Sequence, residues 1–212
     1  MIERVVKFIL CILYYYLMQH YWLEKLVSRF PQLYWQIKAN SFFNDPWQKR
    51  FFPQHRWLLQ TIQALQPHSI LEAGCGFGRN LRWLVSQGIN PAQLTGIDIS
   101  SVLLAQARLP NSVQLIRGNV LHLPFSSNSF DLVFTHGLLM HLSPRQLPRA
   151  LAELVRVSQK HLILIEEIRS RPRQLNYFTW AHDYDKMIKA LPVKVLIKKP
   201  APHSLVCYLL KK

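Results

Sequence analysis

Acidic residues are scarce in this chain of 212 residues, where 11 Asp and Glu stand against 26 Lys and Arg and give a formal charge of +15. So large an imbalance excludes a surface of evenly mixed charge and turns attention to anionic partners, nucleic acid or a lipid surface. Cysteine is scarcer still. Cys11, Cys75 and Cys207 are odd in number, widely spaced and without a CxxC pair, which excludes a disulfide framework and a cysteine zinc site and makes a reducing compartment the default. Long apolar runs are missing as well: Phe8–Met18 falls short of the ~18 residues that a membrane-spanning helix needs. Neither an internal repeat nor a low-complexity tract is present. Glycine is rare, only 7 residues, yet three of them fall at positions 74, 76 and 78.

What is present is enough for a core. Half of the residues are hydrophobic, which excludes intrinsic disorder for most of the chain and fits one domain of ordinary size. The charge is uneven: eight basic against three acidic residues in 1–68, eight against six in 69–168, and ten against two in 169–212. The middle is nearly neutral and the flanks carry the sign. Residues 1–48 read as an N-terminal helical segment and linker, and residues 49–212 as the main domain. The run Phe8–Met18, with Arg4 and Lys7 before it and Tyr14, Tyr15, Tyr16 and Trp22 in or near it, suits a helix in the interface of an anionic membrane through residues 1–30. The alternatives are a helix that packs on the main domain and a signal peptide, although no small-residue cleavage pattern follows.

Pro31, Pro46 and the pairs Asn40-Ser41 and Asn44-Asp45 read as a broken linker over 31–48. Phe51–Leu65 has a helical period, with Trp57, Leu58, Ile62 and Leu65 on one side and Pro67 ending it. From Ser69 short apolar runs alternate with helical patterns, the mark of repeated strand–helix units and a parallel sheet. Strands are expected at Ser69–Ala73, Gln93–Asp98, Val113–Arg117, Phe130–Thr135 and His161–Glu166, with helices at Gly78–Gln87, Ser101–Arg108 and Pro144–Val157. Ser143 and Gln146 form the S-x-x-Q capping pattern of the last helix. Val193–Lys198 and Leu205–Leu210 look like a closing antiparallel pair.

The strongest local signal is Ile70-Leu71-Glu72-Ala73-Gly74-Cys75-Gly76-Phe77-Gly78-Arg79-Asn80, a strand running through a glycine turn into a helix. Arg79 stands where a dinucleotide fingerprint needs Gly or Ala, and the Lys-Ser/Thr pair of a P-loop is missing. Glu72 would repel pyrophosphate but attract an ammonium or sulfonium charge. At the end of the next strand, Asp98 is placed to accept hydrogen bonds from two ribose hydroxyls, and Ile99 to lie against a purine face. After the third strand, Asn119 and the backbone of Val120 are placed to meet an adenine edge.

In these motifs the chain resembles the class I S-adenosylmethionine-dependent methyltransferases, over roughly residues 69–168. The resemblance implies a Rossmann-like, doubly wound α/β fold: a mostly parallel seven-stranded sheet with a C-terminal antiparallel strand pair, preceded here by N-terminal helices. The family's acidic glycine motif falls on Glu72, Gly74, Gly76 and Gly78, its ribose-binding acid on Asp98, and its adenine-contacting residue, commonly Asp, on Asn119. Leu123-Pro124-Phe125 and Ser129–Val133 match the family's run into its fourth strand. A narrower likeness, to methylases associated with pseudaminic-acid biosynthesis, rests on Thr135–Pro144 and His182-Asp183.

The cofactor implied is S-adenosylmethionine, with Glu72, Gly74, Cys75, Gly76, Gly78, Asp98, Ile99, Asn119, Val120 and Thr135 as its expected contacts. In an open parallel sheet ligands sit beyond the carboxyl ends of the strands, which also selects His136, Glu166 and Glu167, with Glu166 expected to face the site. His136 is the candidate general base and His141 a second candidate catalytic residue. Tyr177, Phe178, Trp180 and His182 are expected to line an acceptor pocket. The His, Asp and Glu spacings match no metal-ligand motif, so no metal is expected. The reading is methyl transfer to a small-molecule or lipid-linked acceptor, in the cytoplasm or at the inner membrane surface. Its rivals are an RNA methyltransferase that uses the basic flanks and a cofactor-binding, non-catalytic membrane-surface protein. Against the first, no Asn-Pro-Pro-aromatic run follows the fourth strand and no separate nucleic-acid module is evident.

Overall fold

The computed structural model describes residues 30–168, 173–176 and 179–212. The expectations for Phe8–Met18, Cys11, Tyr177 and Phe178 lie outside those residues. In chain order the elements are α1 Pro31–Asn44, α2 Pro53–Leu65, β1 Ile70–Ala73, α3 Arg79–Ser86, β2 Leu94–Asp98, α4 Ser101–Ala105, β3 Gln114–Arg117 and β4 Phe130–His136. They continue as α5 Leu147–Val157, β5 Ser158–Glu167, β6 Arg173–Asn176, β7 Thr179–Ala181, α6 Tyr184–Lys189, β8 Lys194–Ala201 and β9 Leu205–Lys211.

Seven strands form one sheet in the order β3-β2-β1-β4-β5-β9-β8, and β6 and β7 form a separate hairpin. β1 to β5 pair in parallel, β9 runs antiparallel to β5, and β8 antiparallel to β9. The chain order reverses between β1 and β4, the switch point at which an open α/β sheet leaves a crevice for ligands. Each face of the sheet has its own core. Leu71, Val133, Leu162 and Leu164 face α5 and α6, while Ile70, Leu132, Phe134 and Ile163 face α2 and α3. Helix α5 shows why the pattern works: Leu147, Ala150, Leu151, Leu154 and Val155 recur at helical spacing and are all buried, each large side chain worth about 2 kcal/mol of transfer free energy.

The strand expectations hold to within a few residues and the closing antiparallel pair is present. Helix α5, expected at Pro144–Val157, starts at Leu147, three residues later. Gln146 Oε1 still accepts from the Ser143 backbone N–H at 3.0 Å, the returning half of a capping box, while Ser143 Oγ donates to the same oxygen at 2.9 Å.

The larger correction is at 31–48, where the expected broken linker is mostly helix. Pro31 sits at the first helical position, where no N–H is needed, and Asp45 followed by Pro46 ends α1. Ala39, Trp35, Phe42 and Phe43 pack on Phe77 and Leu103, and Ser100 Oγ donates to the Trp35 carbonyl at 3.2 Å. Helix α1 therefore lies against the ligand end of the sheet and forms part of its wall.

Candidate active site

The glycine turn after β1 is held by backbone geometry that a side chain resists. Gly74, Gly76 and Gly78 all have positive φ (75°, 56° and 72°), and a Cβ on Gly74 would stand 2.6 Å from Leu138 Cδ1. The Gly74 and Cys75 N–H groups donate to the Ile97 carbonyl at 2.8 and 3.1 Å, which ties the turn to β2. Asp98 closes the arrangement. Its Oδ2 accepts from Gly76 N–H and its Oδ1 from Ser100 N–H, both at 2.8 Å; burial raises its pKa, these donors oppose the rise, and lone pairs remain for a ligand.

A cleft opens beyond the strand ends, with about 1050 Å³ of unfilled space including its open mouth. Glu72, Gly74, Cys75, Gly76, Asp98, Ile99, Asn119, Val120, His136 and His141 all line it. Two expected contacts do not. Gly78 lies at the start of α3, where its Cβ would meet Leu109 Cδ1 at 2.6 Å, and its part is the turn. Thr135 is fully buried on the face of β4 that carries Val133, away from the cleft. Asn119 lines the cleft, with Oδ1 already accepting from Leu121 N–H at 2.9 Å, which leaves its amide NH₂ to donate.

Beneath the glycine turn sits a set of ionisable groups in which Glu72 and His136 are joined by Arg79 and His55, neither of which was expected at the site. Glu72 is buried, and burial pushes its carboxyl up to about 8 despite a 2.6 Å hydrogen bond from Asn80 Nδ2 and the nearby Arg79 charge. Arg79 is also shielded from water, its pKa lowered by burial. It forms no ion pair among the described residues, and its Nη2 lies 3.3 Å from Nε2 of His55. His55 in turn packs its ring on His136 at 4.7 Å. Burial first, then Arg79, lowers His55 to about 4; burial first, then His55 and Arg79, hold His136 well below its ordinary value. Both imidazoles are neutral at pH 7. Glu72 Oε2, Arg79 Nη1 and His136 Nδ1 are buried without a hydrogen-bond partner, and all three residues line the cleft. A buried carboxyl and a buried guanidinium left unpaired this close suit a zwitterion that brings both charges.

Glu166 departs from expectation. It is fully buried and does not line the cleft; its carboxylate accepts from the backbone N–H groups of Leu138, Leu139 and Met140 at 3.2, 3.0 and 3.3 Å. It shapes the turn that carries His136 and His141 rather than meeting a ligand. His182 is likewise buried with Nε2 3.0 Å from the Leu142 carbonyl, behind that turn, and Trp180 is also outside the lining. The apolar lining of the cleft comes instead from Pro31, Trp35 and Phe42 of α1 and from Leu138 and Leu142, with Trp35 edge-on to His141 at 4.8 Å. Sequence reasoning missed α1, although Trp35, Phe42 and Phe43 following Pro31 were the available signal.

Residues 70–161 match the methyltransferase-domain family. The match takes in the glycine turn and strands β1 to β4. The chain is 33% identical over 131 residues to demethylmenaquinone methyltransferase of Lactiplantibacillus plantarum, across 57% of its own length and 54% of that relative's. To phthiotriol/phenolphthiotriol dimycocerosates methyltransferase of Mycobacterium leprae it is 39% identical over 107 residues, across 49% of this chain and 37% of that one. The chain thus spans about half or less of these relatives' lengths. In fold, the methyltransferase domain and its flanks resemble the 1,6-didemethyltoxoflavin-N1-methyltransferase of Burkholderia thailandensis, with a TM-score of 0.65 at 18% identity over 91% of this chain and 89% of that one. Among the described residues no helix is long and apolar enough to cross a membrane, and no cluster of His, Cys, Asp and Glu could hold a metal.

Proposed function

We propose that the protein transfers the methyl group of S-adenosylmethionine to a small or lipid-like acceptor. The observation that carries this reading is the convergence of Glu72, Asp98 and Asn119, from the ends of three successive strands, on one cleft with an unpaired buried cation at its base. The residues fit the cofactor. Arg79 Nη1 suits its α-carboxylate, Glu72 Oε2 its α-ammonium, and Asp98 its ribose hydroxyls. When bound, the cofactor supplies an activated methyl on a sulfonium that leaves as a neutral thioether. The protein therefore has to align an acceptor, exclude water and, where the acceptor keeps a proton, receive it.

His136 is the residue proposed for that last task, with His141 assisting from the same turn. A neutral imidazole accepts a hydrogen bond at pH 7, but with so low a pKa it is a weak base. It suits an acceptor with an acidic proton or one that needs only orientation. The apolar roof of Pro31, Trp35, Phe42, Leu138 and Leu142 supports an uncharged, hydrophobic acceptor body. Titration calorimetry with S-adenosylhomocysteine tests the cofactor: binding is expected for the wild type and lost in Asp98→Ala, and a flat wild-type titration refutes the reading. Labelled-methyl transfer into fractionated extract then sorts lipid and small molecules from RNA and protein. Label confined to RNA would favour the basic-flank alternative.

A further inference from the structure

The large apolar side chains exposed among the described residues are few, and four of them, Phe30 (58% exposed), Leu33 (45%), Trp47 (38%) and Phe51 (45%), lie in one stretch of sequence. That stretch borders the cleft. Pro31 follows Phe30 and Gln48 follows Trp47, and both line it. Two of the exposed rings, Trp47 and Phe51, are held by neighbouring rings. Trp47 lies 4.5 Å from Phe52 and 4.4 Å from His203 of the β8–β9 turn, while Phe51 stacks on Trp83 at 5.5 Å.

Charge in the same place has one sign. Between Phe30 and Gln66 there are four basic residues, Lys38, Lys49, Arg50 and Arg56, and one acid, Asp45. Asp45 is turned to its own backbone, accepting from Trp47 N–H at 2.8 Å, while Lys49, Arg50 and Arg56 are exposed and form no ion pair among the described residues. Aromatic rings fixed at the surface beside unpaired cations are the chemistry of a membrane interface. The rings take the boundary between headgroups and acyl chains, and each cation near an anionic surface adds about a further fivefold in partition.

We infer that the segment 45–53, with the head of α1, docks the mouth of the cleft on an anionic lipid bilayer. The residues that form this surface are other than 1–29. It would let an amphiphilic acceptor reach the cleft without crossing water, and in that consequence alone it rests on the methyl-transfer reading. A stacking platform for single-stranded RNA would also use aromatic and basic residues. The aliphatic Leu33 and the run of rings along the cleft mouth favour lipid.

The test uses the full chain with vesicles of phosphatidylcholine alone and of phosphatidylcholine with 30% phosphatidylglycerol, assayed by flotation. Wild type is expected to float with the anionic vesicles only, and to be released as salt rises from 0.1 to 0.5 M. Lys49→Ala with Arg50→Ala should reduce partition on the order of 20-fold, and Trp47→Ser with Phe51→Ser by at least as much. Thermal melts confirm that each variant folds, and the charge variant carries the test should the aromatic pair not fold. Unchanged flotation of a folded Lys49→Ala/Arg50→Ala variant overturns the inference, as does tighter binding of the same surface to an unstructured oligoribonucleotide. S-adenosylhomocysteine affinity, measured in parallel, separates failure of this surface from failure of the cofactor site.

Discussion

Glu72 should give up its proton when the cofactor binds. With its carboxyl pushed up to about 8 by burial, it holds roughly 0.9 of a proton at pH 7 in the free protein. An ammonium group brought to Oε2 favours the carboxylate, and lowering the pKa to ~6 would leave roughly 0.1 of a proton bound, so about 0.8 of a proton is released. Calorimetry at pH 7 in two buffers of different ionisation enthalpy measures this directly, because the observed enthalpies should differ by about 0.8 of the difference between the buffers. Affinity should also weaken as pH falls from 8 to 6, approaching tenfold per unit, or about 1.4 kcal/mol. His55 and His136 are already neutral across this range and contribute no release. Glu72→Gln should bind more weakly with no release. Buffer-independent enthalpy in the wild type, or release that persists in Glu72→Gln, would refute the assignment of Glu72 to a cationic group.

Gly74→Ala should destabilise the fold by about 2 kcal/mol, from the positive φ and the 2.6 Å approach to Leu138; chemical denaturation should show part of the loss recovered when Leu138→Ala is added. Glu166 has a folded pKa raised to about 7 by burial, so the stability it contributes is fully present below its unfolded value and lost as pH rises through 7. Relative to wild type, Glu166→Gln should therefore gain roughly 3 kcal/mol between pH 4.5 and 8 in urea titrations, and an unchanged difference across that range would count against it. Tyr184 is fully buried with a hydroxyl that has no hydrogen-bond partner among the described residues. Tyr184→Phe should raise stability by about 1 kcal/mol, visible as a higher denaturation midpoint.

The sequence by itself determined the sheet and the glycine turn. Strands with alternating apolar runs, a turn that only glycine tolerates at φ near +75°, and a capping glutamine at 146 are local properties, set by backbone sterics and side-chain period. Asp98 was legible for the same reason, since its place at a strand end follows from the strand itself. Tertiary structure alone decided which neighbours meet. Helix α1 shows no marked apolar stripe, and its packed side is decided by residues such as Ser100 and Leu103, at the start of α4 and more than 55 positions away. Thr135 and His136 differ by one residue, yet strand alternation sends the first into the α5 core and leaves the second at the strand end, where the cleft begins. The shifted ionisation of Glu72 and Arg79 is likewise invisible in the chain, because it depends on burial and on distances that exist only once the layers have closed.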